Sequence, residues 1–238
     1  MRQAIRLGNE VEGDLPVFRY QTLSQFMTLI EKSEMYLSRI TTWDDKWEAP
    51  FDQLPTVNDD GTFRYASYNS RQDLFGQCWT SNGESDALWR IYSPNKEGVM
   101  IGTTAKKFLD LKGIHNGLFG KVAYSDFKEI TEFPQGMLDQ ALVKRKAYEH
   151  ENEYRLVTVF QEPEFANINY VNISVELNDF IESVTIDPRA SKWFVEMVEC
   201  YCKRANLNAP VVQSDLYSAN VFDSLKIVKR WVEVSKQD

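Results

Sequence analysis

An irregular interleaving of short strand-like runs with helical stretches most narrows the folds open to this chain. Period-two and buried apolar patterns mark strands at 17–22 (VFRYQT), 35–40 (MYLSRI), 75–81 (FGQCWTS), 98–104 (GVMIGTT), 121–126 (KVAYSD), 153–160 (EYRLVTVF), 169–175, 181–187, 211–216 and 225–232. Helical periodicity marks 24–33, where Ser24 is placed to cap and Phe26, Met27, Leu29 and Ile30 form one stripe. Further helices are expected near 68–75, at 86–93 (Leu88, Trp89 and Tyr92 on one side), around 105–110, at 134–148 and at 190–206. Residues 1–16 read as an irregular lead-in, and Pro55 with Asp60-Gly61 as a turn region. Strands and helices in no strict alternation imply one α+β domain over 1–238, with mixed or antiparallel sheets and flanking helices.

At 238 residues and 43% hydrophobic content the chain is long enough to bury a sizeable core. Six Trp, eleven Tyr and fourteen Phe supply rings for that core and for the walls of a cleft. The net charge of −8 repels nucleic acid and anionic membranes at long range. Two basic clusters, Lys144-Arg145-Lys146 and Lys226/Lys229/Arg230, read more readily as solvated faces than as phosphate sites. Cys78, Cys200 and Cys202 make an odd count without metal-ligand spacing, which points to a reducing, cytoplasmic setting. With no long apolar run, no membrane partner is expected. His115 and His150 are too few for a multi-histidine metal centre, so no metal site is expected.

The stretch YEHENEYRLV (148–157) places Glu149, Glu151 and Glu153 at alternate positions before an apolar run. In an extended chain those carboxylates share one face. Such a row suits either a solvated edge, partnered by Arg155 and Lys144–Lys146, or the mouth of a cleft. The loop WDDKWEAPF (43–51) adds Asp44, Asp45 and Glu48.

Four segments, WDDKWEAPF, CWTSNGESDALWRIYSPNKEGVMIG, KRKAYEHENEYRLV and IESVTIDPRA, keep the order found in a bacterial family known as domain of unknown function 2971, which the chain resembles over most of 17–187. The loop here lacks that family's usual proline, Leu88 stands where Met is usual, and Tyr148 where Trp is usual. A second resemblance is to the arginine-serine-glutamate ADP-ribosyltransferases, carried by Phe18-Arg19-Tyr20, Trp79-Thr80-Ser81 and Glu151-Asn152-Glu153-Tyr154-Arg155-Leu156 in that order.

That second resemblance implies an ADP-ribosyltransferase-like fold and NAD as substrate, with transfer to a protein or nucleic-acid acceptor or NAD hydrolysis. It implies Arg19 on phosphate or ribose oxygens, Glu153 on the ribose, Glu151 on the acceptor, and Ser81 and Thr80 as positioning groups. Tyr20, Trp79 or Trp89 would stack on nicotinamide. A bacterial toxin or phage-defence effector is the implied biological setting. Two other readings of the same residues stand beside it. One is a non-enzymatic nucleotide- or protein-binding regulatory module with an acidic, aromatic cleft. The other is a metal-dependent nuclease built on Asp44, Asp45, Glu48 and Glu151, against which the acidic charge counts.

Overall fold

The computed structural model describes residues 4–45, 47–48, 56–57, 60–64, 70–126, 134 and 136–218. In chain order the strands are β1 (Ile5–Leu7), β2 (Pro16–Thr22), β3 (Glu34–Arg39), β4 (Thr56–Val57), β5 (Phe63–Arg64), β6 (Leu74–Thr80), β7 (Gly98–Thr104), β8 (Gly117–Lys121), β9 (Ala123–Ser125), β10 (Val143–Arg145), β11 (Glu153–Val159), β12 (Tyr170–Ser174), β13 (Ser183–Ile186) and β14 (Val211–Gln213). The helices are α1 (Leu23–Lys32), α2 (Asp86–Tyr92), α3 (Met137–Gln140), α4 (Leu177–Phe180) and α5 (Lys192–Arg204).

A ten-stranded sheet runs β1-β8-β11-β6-β2-β7-β13-β14, with β3 also joined to β6 and β12 to β3. The pairs β1/β8 and β13/β14 are parallel and the others antiparallel, so the sheet is mixed and the fold is α+β. Its organising feature is a fork at β6. Along one side β6 pairs with β11 from Glu153↔Thr80 to Val159↔Leu74. On the other side it meets β2 only at Phe18↔Thr80, and β3 only at Ser38↔Gly76 and Arg39↔Phe75. Between those contacts the ladder is open, and side chains replace it. Arg19 donates to the Cys78 carbonyl, and Gln77 donates to the Tyr36 carbonyl at 2.7 Å. Buried backbone acceptors are thereby satisfied without strand pairing.

One face of β6 and β11 packs Phe75, Trp79, Tyr154 and Leu156 into the main core beneath α1 and α5. Its centre is a group of rings: Trp79 meets Phe108 edge-on at 5.1 Å, and Phe108 stacks on Phe119 at 4.0 Å. The opposite face carries a smaller cluster of Ile40, Leu74, Leu118, Leu138 and Val157. There Gly76 has a packing reason. A Cβ would stand 2.9 Å from the Leu156 carbonyl and 3.2 Å from the Trp43 ring.

Several expectations are corrected. Thr22, not Ser24, caps α1, through a reciprocal capping box with Gln25. The lead-in contains β1, which pairs with β8, a strand the sequence pattern did not reveal. The helix expected over 134–148 reduces to the single turn of α3. The chain then forms β10 beside β9, followed by a 3-10 turn at Lys146–Glu151. Segments 68–75 and 105–110 also contain 3-10 turns, Ser70–Asp73 and Ala105–Asp110, in place of α-helices. On α5, Trp193 faces solvent while Phe194, Val198 and Cys202 face the core. The strand expected at 225–232, with Lys226, Lys229 and Arg230, lies outside the described residues. No described helix is long and apolar enough to cross a membrane.

Candidate active site

The fork opens into a cavity of about 610 Å³. Arg19 and Tyr20 reach it from β2, Trp79 and Thr80 from β6, Glu153 from β11, and Glu151 from the turn before it. Ile91 and Tyr92 of α2, together with Tyr36, Trp43 and Tyr148, add apolar and aromatic wall.

The three glutamates do not share a strand face. Lys146–Glu151 is a 3-10 turn, and Asn152 sits in the left-handed region at φ 43°, so the strand starts only at Glu153. Asn tolerates that conformation better than most residues. The kink is pinned on several sides. Thr80 Oγ1 donates to the Glu151 carbonyl at 2.6 Å, Asn82 Nδ2 donates to the His150 carbonyl at 3.1 Å, and the Glu153 amide donates to the Tyr124 hydroxyl at 2.8 Å. Glu149 and His150 remain exposed, whereas Glu151 and Glu153 turn inward.

Both inward carboxylates meet Lys144. Its Nζ donates to Glu151 Oε2 at 2.6 Å and to Glu153 Oε2 at 2.8 Å, and lies 3.7 Å from Glu48 Oε1. Arg155 completes the cluster. Its Nε donates to Glu153 Oε1 at 2.8 Å, Nη1 pairs with Glu48 Oε2 at 2.8 Å, and Nη1 donates to the Ala141 carbonyl at 2.6 Å. The guanidinium lies 4.7 Å from the centroid of the Trp43 ring, the ring that Gly76 makes room for. The expectation that Lys144–Lys146 forms a solvated basic face is therefore corrected. Lys144 is buried, Arg145 pairs with Asp45, and Lys146 alone is exposed.

The carboxylates respond in opposite directions. Burial is the largest influence on Glu153 and pushes it up, but Arg155 and Lys144 together pull it to about 2. Glu151 is raised, because burial outweighs Lys144. Glu48 is likewise raised by burial, despite Arg155. Burial lowers Arg19, whose buried Nε has no hydrogen-bond partner among the described residues. One cavity thus holds an ionised carboxylate, a second carboxylate that holds a proton more readily, and a guanidinium with a free donor.

Six of the eight residues singled out from the sequence line the cavity, although the Trp79 ring is buried against Phe108 and Phe180 and is not placed to stack on nicotinamide as expected; Ser81 and Trp89 do not line it. The Ser81 amide donates to the Asn152 carbonyl at 3.2 Å, so that residue serves the kink. Ser85 caps α2. Trp89 is fully buried and meets Tyr20 edge-on at 4.8 Å. Tyr20 itself is mostly buried, its hydroxyl accepting from the Ser85 amide at 3.1 Å. Sequence reasoning offered Lys144 and Arg155 only as partners of a solvated glutamate row, not as site residues, and placed Glu48 in a metal set or opposite Arg19. In the structure Glu48 and Glu151 face cations. Among the described residues no group of three or more His, Cys, Asp or Glu is placed to hold a metal ion.

Fold and site together define an α+β protein with an acid- and aromatic-lined cleft at a fork in its sheet. Within that class, the family model described as protein of unknown function (DUF2971) matches residues 88–156. No curated protein matches the chain. Among solved structures, the chain is similar to DarT from Thermus sp. 2.9 in complex with NAD+, at 9% identity and a TM-score of 0.42, covering 86% of this chain and 97% of that one. The same protein in complex with ADP-ribosylated ssDNA gives 10% identity, a TM-score of 0.43, and coverage of 85% and 95%.

Proposed function

We propose that this protein cleaves the nicotinamide–ribose bond of NAD and transfers ADP-ribose to an acceptor. The observation that carries the reading is that Arg19 and Glu153, distant in sequence, line one cavity. Among the described residues the buried Arg19 Nε has no acceptor, and a guanidinium fork suits the pyrophosphate or ribose oxygens of a dinucleotide. As the glycosidic bond breaks, nicotinamide leaves with the electron pair and the ribose becomes oxocarbenium-like. Glu153, held ionised, stabilises that charge as it develops. The acceptor's lone pair then bonds to the anomeric carbon, and its proton passes to Glu151. A carboxylate with a raised pKa suits that task. Tyr92, stacked on Tyr20 at 6.2 Å, offers a flat apolar wall for nicotinamide.

Nicotinamide release from NAD tests the reading. Glu153→Gln is expected to slow release by about 10²–10³-fold while leaving NAD affinity nearly unchanged. Arg19→Ala is expected to raise KM by about tenfold or more, the loss of one charge-assisted contact. Thermal unfolding of both variants separates lost chemistry from lost fold. Binding of NAD without turnover by the parent chain would replace this reading with the non-enzymatic one. Full activity in both variants would remove the site altogether.

A further inference from the structure

Lys144 is a buried charge that the chemistry above leaves without a task. Arg155 already neutralises Glu153, contacting both of its oxygens at 2.8 and 3.2 Å. Yet an ammonium is also brought in, at a desolvation cost, from β10 in the separate two-stranded sheet. It arrives between Glu151 and Glu153, with the Tyr148 ring centroid 4.7 Å away and Glu48 at the edge of its reach. Glu151 and Glu153 stand on opposite sides of the Asn152 kink, so the backbone alone leaves their carboxylates independent. An ammonium has three donors, enough to hold both at once.

We propose that Lys144 is the positioning residue of the pair. It fixes the Glu151 carboxylate against the Glu153 carboxylate, so that the acceptor's base and the oxocarbenium's counter-charge hold one geometry. This rests on the reading of the cavity as an NAD-cleaving site. Lys144 lines the same cavity, and its proposed role is exercised through the two glutamates it bonds. Its own surroundings are Glu48 from the loop after β3, Cys78 from β6, Tyr148 and Glu151 from the turn, Glu153 and Arg155 from β11, and Tyr124 and Tyr92 nearby. Removing it takes away the ammonium bonded to Glu151 and one of the cations acting on Glu153, beside Arg155 and Arg19, which moves both to higher pKa.

Steady-state NAD cleavage by Lys144→Gln and Lys144→Arg chains tests the proposal, with thermal unfolding recorded for each. Lys144→Gln is expected to lower kcat by about a hundredfold, to leave KM within about threefold, and to shift the acidic limb of the pH–rate profile upward. Lys144→Arg, which keeps a charged donor, should restore at least about a tenth of the parent kcat. A folded Lys144→Gln chain with parent kcat and profile overturns the proposal, as does a folded Lys144→Arg chain as inactive as Lys144→Gln. If Lys144→Gln fails to fold, Lys144→Arg decides alone, retained kcat supporting and lost kcat overturning. Absence of nicotinamide release from the parent chain is a failure of the functional reading, not of this one. Carbon-13 titration of the Glu151 and Glu153 carboxyls then judges Lys144: both moving up in Lys144→Gln supports the tie, and unchanged titration overturns it.

Discussion

The two faces of the β6–β11 ladder are built from the same strands and obey opposite rules. On one face Phe75, Trp79, Tyr154 and Leu156 enter a dry aromatic core, where each side chain gains by leaving water. On the other, one register step away, Glu153 and Arg155 sit beside Glu48 and Lys144, all four withdrawn from solvent, with the half-buried Cys78 next to them. Charges in that position lose hydration that pairing only partly returns, so a buried ion cluster is weak evidence of stability. Such a cluster beside a cavity, with its carboxylates pushed in opposite directions, is what a site for acid–base or cationic chemistry requires. The contrast separates residues that hold the fold from residues that the fold holds.

The largest expected effect tests that separation. Arg155→Met leaves Glu48 and Glu153 buried with only Lys144 near both, and should lower unfolding free energy by about 3–5 kcal/mol in urea titrations. Adding Glu48→Leu and Glu153→Leu to the same chain should return most of that loss, since Lys144 keeps Glu151 as a partner at 2.6 Å, while abolishing the proposed NAD cleavage, which needs Glu153. A triple variant as unstable as the single one would mean that the charged face holds the fold after all, and the contrast would fail.

Acid sharpens the same point with a smaller effect. Glu153 lies near 2 in the folded chain, against an ordinary value of 4.5. Its stabilising contribution is present above the unfolded value and is lost as pH falls toward 2. That loss should amount to about 2 kcal/mol between pH 6 and pH 3. Glu48 and Glu151 are raised, so their protonation works in the opposite direction over the acidic range. Unfolding at both pH values should therefore show a shallower loss for Glu153→Gln than for the parent chain. Equal slopes would place Glu153 outside the acid response.

Much of the dry face was legible in the sequence because its signal is local. FGQCWT, GVMIGTT and EYRLVTV are apolar runs of strand length, and the first and last form the ladder itself. The charged face was legible only in part. Arg19, Glu151 and Glu153 stood out through residue order, whereas Lys144 lay in a basic triplet that reads as surface. Burial of a lysine is decided by β9 and β10, and β10 was hidden inside an expected helix over 134–148. Met137, Leu138, Ala141 and Leu142 carry helical spacing, yet only Met137–Gln140 forms a turn before the chain extends to place Lys144. The strand β8 was missed because GLFGK is bounded by glycines, a composition that weakens any strand signal. A Cβ at Gly120 would stand 2.3 Å from the tip of the Leu142 side chain, which would have to shift.

The smallest expected effect comes from the neighbour of Lys144. Arg145 lies next along β10, but its side chain is 40% exposed and reaches Asp45 at 2.9 Å on the cavity rim. Solvent screens that pair, and holding a long side chain in one rotamer offsets much of its attraction. Arg145→Ala should therefore change stability by no more than about 1 kcal/mol and leave the KM of the proposed NAD cleavage nearly unaltered. Adjacent residues on one short strand would then differ in kind: one sets the separation of two buried carboxylates, the other decorates the rim. A loss at Arg145 comparable with that at Arg155 would show that the Asp44–Glu48 loop depends on the rim pair to hold Glu48 in the cluster, and the boundary between the fold-bearing and site-bearing parts would have to be drawn one residue further out.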